Sequence, residues 1–168
     1  MILQRGKTSY NFVMKLLSQI LPPENVLLDV AVTSKKRALE QVALLFENNQ
    51  GLERAGVFDN LFARERLGST GLGHGVAVPH GRIKSINRPW AAFVRLATPV
   101  AFDAPDGQPV DILLVIVVPE EATQQHLDIL AEVAQLLSDE TVVQSLRAET
   151  DVLRVHELLT ARSTSAAA

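Results

Sequence analysis

The chain contains no cysteine, which excludes disulfides, thiolate nucleophiles and cysteine-ligated zinc, and fits a reducing cytosol. A surplus of one charge is missing too. The formal net charge of -3 over a mixed surface provides no basic face for a phosphate backbone, which argues against nucleic acid as a partner. The longest uninterrupted apolar run, Ile112 to Val118, is far shorter than the roughly 20 residues of a membrane-spanning helix, so no membrane insertion is expected. Near the start, Phe12 to Leu17 is interrupted by Lys15 and followed by Pro22-Pro23, a poor match to a signal peptide. There is no internal repeat and no dividing linker. These absences leave a soluble, cytoplasmic chain of 168 residues, 47% of them hydrophobic, enough for the core of one domain.

Periodicity supplies the elements. An amphipathic helix in residues 1–20 forms an N-terminal extension, 21–161 is the domain proper, and 162–168 (Arg-Ser-Thr-Ser-Ala-Ala-Ala) is a disordered tail with few anchoring side chains. Asn25 to Val32 reads as a strand. Thr33 or Ser34 caps a helix that runs to about Asn49, with Ala38, Val42, Leu45 and Phe46 at helical spacing and Gly51 as its stop. A second helix from about Val57 turns Phe58, Leu61 and Phe62 inward and delivers Arg64, Glu65 and Arg66 at its end. Trp90 to Leu96 has strand character, Asp106-Gly107 is a turn, and Val110 to Val118, apolar on both faces, is a central strand ended by Pro119. Helices follow over Thr123 to Ser138, Asp139 to Arg147 and Asp151 to Ala161. Alternating strands and helices predict an α/β single layered domain.

The chemistry concentrates in residues 64–82, Arg-Glu-Arg-Leu-Gly-Ser-Thr-Gly-Leu-Gly-His-Gly-Val-Ala-Val-Pro-His-Gly-Arg, which hold five of the nine glycines and two of the four histidines. Such clustering suits a contact surface in which His80, between Pro79 and Gly81, stays uncovered. With an ordinary pKa near ~6.5 its ring is largely neutral at cytosolic pH, and the unprotonated nitrogen is a nucleophile able to hold a phosphoryl group. The negative charge on that group calls for a guanidinium and oriented N–H donors: Arg64, Ser69, Thr70 and the backbone amides from Gly68 to Gly75, Gly71 among them. Leu72, Val76, Ala77 and Val78 are the expected docking surface. His126 sits on the apolar stripe of its helix but in the first turn, where anions are favoured, and can act on His80 if that helix end meets the glycine stretch. The glycines fit neither the dinucleotide fingerprint nor a P-loop, so no nucleotide cofactor is expected, and the histidine spacing matches no usual metal motif. His74 and His156 receive no role.

The pattern Arg64-Glu65, Gly68-Ser69-Thr70-Gly71, Gly75-Val76-Ala77-Val78-Pro79-His80-Gly81 resembles the active-site motif of enzyme IIA components of the bacterial phosphoenolpyruvate phosphotransferase system, in the mannitol, fructose and nitrogen-type class. Asp106-Gly107-Gln108-Pro109-Val110 and His126-Leu127 are similar to later landmarks of that family. The resemblance spans about Leu21 to Thr160. It implies a mixed β-sheet sandwiched between α-helices, with His80 as the phosphorylated residue, Arg64 stabilising the phosphoryl and His126 as the second active-site histidine. A short helix before Pro22 and no transporter segment resemble the nitrogen-type branch. There the donor is a small HPr-like phosphocarrier protein, and the outcome is regulation of protein targets. A sugar-specific IIA component, or an interaction module that carries no phosphate, are the alternatives.

Overall fold

The computed structural model describes residues 16–160; the expected tail and most of the expected N-terminal extension lie outside the described residues. Residues 16–20 are helical (α1). A 3-10 turn at Pro23–Asn25 leads to β1 (Val26–Val30), α2 (Lys35–Gln50) and α3 (Arg54–Leu67). Three short strands follow: β2 (Gly71–Gly73), β3 (Val76–Ala77) and β4 (His80–Ile83). The long strands β5 (Trp90–Val100) and β6 (Val110–Pro119) precede α4 (Gln124–Leu137), α5 (Glu140–Ala148) and α6 (Val152–Thr160).

Six strands form one mixed sheet in the order β1-β5-β6-β3-β2, with β4 also on β6. Strand β1 is parallel to β5, β5 antiparallel to β6, and both β3 and β4 parallel to β6. The central position of β6 follows from its sequence. Its even-numbered side chains Ile112, Leu114, Ile116 and Val118 pack with α1 and α4 to α6, whereas Leu113, Val115 and Val117 pack with α2 and α3. A strand buried on both faces has no polar side to alternate with, which is why it reads as a continuous apolar run. The expected sandwich of helices around a mixed sheet is the observed architecture.

Helix α2 starts and stops where its capping residues place it. Ser34 Oγ accepts the Arg37 N–H at 3.1 Å, and Gly51 closes the helix with a left-handed φ of 69°. Helix α3 begins at Arg54 rather than near Val57, without a side-chain cap at Glu53. The larger departure lies in the glycine stretch, which the sequence reading assigns to no strand and which forms β2, β3 and β4. Val76 lies opposite Ile112 and His80 opposite Ile116, so β3 and β4 run along β6 in one unbroken register. Pro79 interrupts the ladder because it has no N–H, yet its carbonyl still accepts the Ile116 N–H at 3.0 Å.

At the other end, the described residues of α1 contribute to the core. Leu17, Ile20 and Leu21 are buried in the layer with α4 to α6. The backbone N–H groups of Leu16 and Leu17 donate to the carboxylate of Glu132 on α4.

Candidate functional site

Strand period places Val76, Val78, His80 and Arg82 on the face covered by α4, and Ala77, Gly81 and Ile83 on the face covered by α2 and α3. His80 is half-buried, and its Nδ1 lies 2.8 Å from the Val78 carbonyl oxygen. A carbonyl can only accept, so Nδ1 carries the proton and the neutral ring keeps its lone pair on Nε2. Burial holds the His80 pKa below its ordinary value, with the Arg64 guanidinium acting in the same direction; the Val78 hydrogen bond and the Glu65 charge oppose them. The balance favours the neutral ring.

His126 stands in the first turn of α4, 8% exposed, with its ring centre 5.4 Å from that of His80 and the planes at 71°. The helix end therefore does meet the glycine stretch. Arg82 Nε donates to His126 Nδ1 at 3.4 Å. The other nitrogen, Nε2, is sealed from solvent with no hydrogen-bond partner. Because Nδ1 is the acceptor, Nε2 bears the hydrogen: a buried, unused N–H beside His80. Burial, followed by the charges of His80 and Arg82, lowers the His126 pKa as well.

Arg64, near the end of α3, is half-buried and donates from Nη1 to the Gly68 carbonyl at 2.8 Å, closing the helix terminus. Its charge acts on His80, lowering that ring's pKa. Ser69, Thr70 and Gly71 have their hydrogens committed elsewhere. Ser69 Oγ donates to Phe102 O at 2.7 Å and accepts from Gly71 N at 3.1 Å. Both the N–H and the O–H of Thr70 donate to Glu65. Glu65 is 4% exposed and lies 3.9 Å from Lys35 Nζ. These groups build a support instead. Thr70 O accepts the Val78 N–H at 3.1 Å, so Glu65 holds Thr70, Thr70 holds Val78, and Val78 holds the His80 ring.

The expected docking surface also changes. Val76, Ala77 and Val78 are buried, the first two in β3 and Val78 in the link to β4; Leu72 stays exposed, as do Leu67, three residues after Arg64, and Leu127, next to His126. His74 adopts a left-handed φ of 56° in the β2–β3 turn, its N–H on Asp106 and its carbonyl on Arg147, and lines a groove of about 580 Å³ against α4 and α5. His156 Nε2 bonds Leu21 O at 2.8 Å, a packing contact. Arg82 and Glu65 are the site residues whose parts were not foreseen. The signal for Arg82 was its spacing of two from His80, informative only once residues 76–83 are known to be a strand.

A mixed sheet between two helical layers is the fold of the enzyme IIA structures of nitrogen and mannitol type that this chain resembles. The chain belongs to the family described as phosphoenolpyruvate-dependent sugar phosphotransferase system, EIIA 2, whose model matches residues 19–161. It is 46% identical to a nitrogen regulatory protein of Pseudomonas aeruginosa over 78% of this chain and 86% of that one. Against a nitrogen regulatory protein of Escherichia coli K12 the identity is 41%, covering 86% and 89%. The crystal structure of nitrogen regulatory protein IIA-Ntr from Neisseria meningitidis superposes with a TM-score of 0.83 at 45% identity, covering 87% of this chain and all of that one.

Proposed function

We propose that this protein is a cytoplasmic phosphoryl carrier whose His80 accepts a phosphoryl group at Nε2 from a small histidine-phosphorylated, HPr-like carrier protein. The phosphorylation state then alters which regulatory targets it binds. The observation that carries this reading is the His80 ring itself, half-exposed, with Nδ1–H held by Val78 O and the Nε2 lone pair uncommitted. The Nε2 lone pair forms the new P–N bond as the donor's P–N bond breaks, and that bond's electron pair returns to the donor imidazole. A donor ring protonated on its other nitrogen leaves as neutral imidazole, so no proton is stranded.

Charge in the transition state spreads over the phosphoryl oxygens. Arg64, whose charge acts on His80, and the unused Nε2–H of His126, whose ring centre lies 5.4 Å from that of His80, are the groups suited to meet it. Ser69, Thr70 and Gly71 support the site rather than touch the phosphoryl. Exposed Leu67, Leu72 and Leu127 supply apolar contact for an incoming carrier. The nitrogen-type branch is favoured over a sugar-specific role by relatives of 41 and 46% identity that are nitrogen regulatory proteins.

The test is labelling from phosphoenolpyruvate through the two general phosphotransferase proteins. Acid-labile, base-stable phosphate is expected on the wild type and absent from His80→Ala, with phosphorus-nitrogen NMR placing it on Nε2. An unlabelled wild type, or equal label on His80→Ala, refutes the carrier role. Restored sugar uptake in a reconstituted transporter refutes the purely regulatory one.

A further inference from the structure

Among the described residues His126 Nε2 is the buried side-chain nitrogen or oxygen that lacks a partner. An unsatisfied buried N–H costs roughly 1–3 kcal/mol, so it calls for an explanation. The other ring nitrogen holds it. A neutral imidazole has one N–H and one lone pair, and whichever nitrogen accepts forces the proton onto its neighbour. Here Nδ1 accepts from Arg82 Nε. A guanidinium is a donor at every nitrogen and stays protonated in proteins, so, unlike a hydroxyl or an amide, it cannot reverse that choice.

We infer that Arg82 is a positioning residue for phosphoryl transfer, holding His126 through Nδ1 in the tautomer that leaves Nε2–H for a phosphoryl oxygen. The inference rests on the carrier reading above. Without the guanidinium, His126 can place its proton on Nδ1 and turn a lone pair toward an anion, which repels it. Arg82 is placed for the task by its strand: two residues beyond His80, it shares that residue's face, and its register on β6 opposite Val118 fixes the spacing. It is exposed, so its replacement removes nothing from the core.

Nitrogen-15 NMR of the His126 ring near pH 8, in unphosphorylated protein, reads the tautomer directly. Wild type and Arg82→Lys are expected to carry the proton on Nε2, whereas Arg82→Glu, whose carboxylate accepts, moves it to Nδ1. At saturating phosphorylated donor, Arg82→Glu is expected to lower the maximal rate of His80 labelling about a hundredfold, and Arg82→Lys to stay within about threefold. A His126 tautomer unmoved by Arg82→Glu overturns the inference. So does a labelling defect confined to KM, which assigns Arg82 to donor docking. Either result in a protein whose wild type labels normally leaves the carrier reading intact, while an unlabelled wild type removes that reading and this one together.

Discussion

Glu132 offers the sharpest thermodynamic test of how the N-terminal helix is held. Its side chain is 2% exposed, on α4, and its carboxylate accepts the N–H groups of Leu16 and Leu17. Burial pushes its pKa from an ordinary 4.5 up to about 7, against the opposing pull of those two hydrogen bonds. The folded protein therefore keeps a proton that the unfolded chain gives up. The resulting stabilisation is fully present below pH 4.5 and is lost as pH rises through about 7. Each pH unit in that window is worth at most about 1.4 kcal/mol, so the whole effect is on the order of 3 kcal/mol.

His80 and His126 act in the opposite sense. Their pKa values are lowered on folding, so the unfolded chain binds more protons than the native one and stability rises with pH up to the ordinary histidine range. A wild-type profile alone mixes the two trends. The difference between wild type and Glu132→Gln separates them, because both proteins keep the histidines and glutamine cannot ionise. Urea unfolding followed by circular dichroism should show the two about equally stable near pH 4.5 and Glu132→Gln more stable by on the order of 2–3 kcal/mol at pH 8. A difference that does not vary with pH, or a wild type that gains on the variant as pH rises, refutes the reasoning, since either means the two N–H bonds outweigh burial.

Two further outcomes follow from the site. Gly75 has a φ of +79°, and a Cβ there meets Arg147 Nη2 and lies 3.1 Å from Asp111 Oδ1. Gly75→Ala is expected to cost about 1–3 kcal/mol through backbone strain and a disturbed Arg147–Asp111 pair, measured by urea unfolding; a neutral result contradicts the packing described. Because His80 is held below its ordinary pKa, the fall in its labelling rate on acidification should be centred below about 6.5. A decline centred above about pH 6.5 in single-turnover labelling contradicts a ring whose burial favours its neutral form.

Much of the frame was readable because it rests on local signals. Ser34 and Gly51 bracket α2 through a side-chain cap and a left-handed terminus, and β6 announces itself by apolar residues on both faces. The start of α3 was missed by three residues, since Glu53 makes no side-chain cap and Gly56 weakens the periodic signal. The strands β2 to β4 were missed for a tertiary reason. They are two to four residues long, and the alternation of Val76, Val78, His80 and Arg82 acquires meaning only from β6 beside them. The same gap led to Val76, Ala77 and Val78 being assigned to a docking surface. The Thr70 contact was not legible because a hydroxyl beside glycines suits many acceptors, and nothing local shows that Glu65 turns inward to take both of its hydrogens.

The two histidines are set by partners that have no choice of role. Val78 precedes a proline, which confines it to extended backbone; its N–H is taken by Thr70, and its carbonyl is left for the His80 ring. That carbonyl can only accept, so His80 keeps an open lone pair at Nε2. Arg82 can only donate, so His126, across a 5.4 Å ring separation, keeps an open N–H at Nε2. In the proposed carrier reaction, one device yields a nucleophile and its inverse yields a donor for the oxygens that the nucleophile brings in. Exchanging either partner for a group of the opposite polarity reverses one ring and leaves two lone pairs, or two N–H groups, where the chemistry needs one of each.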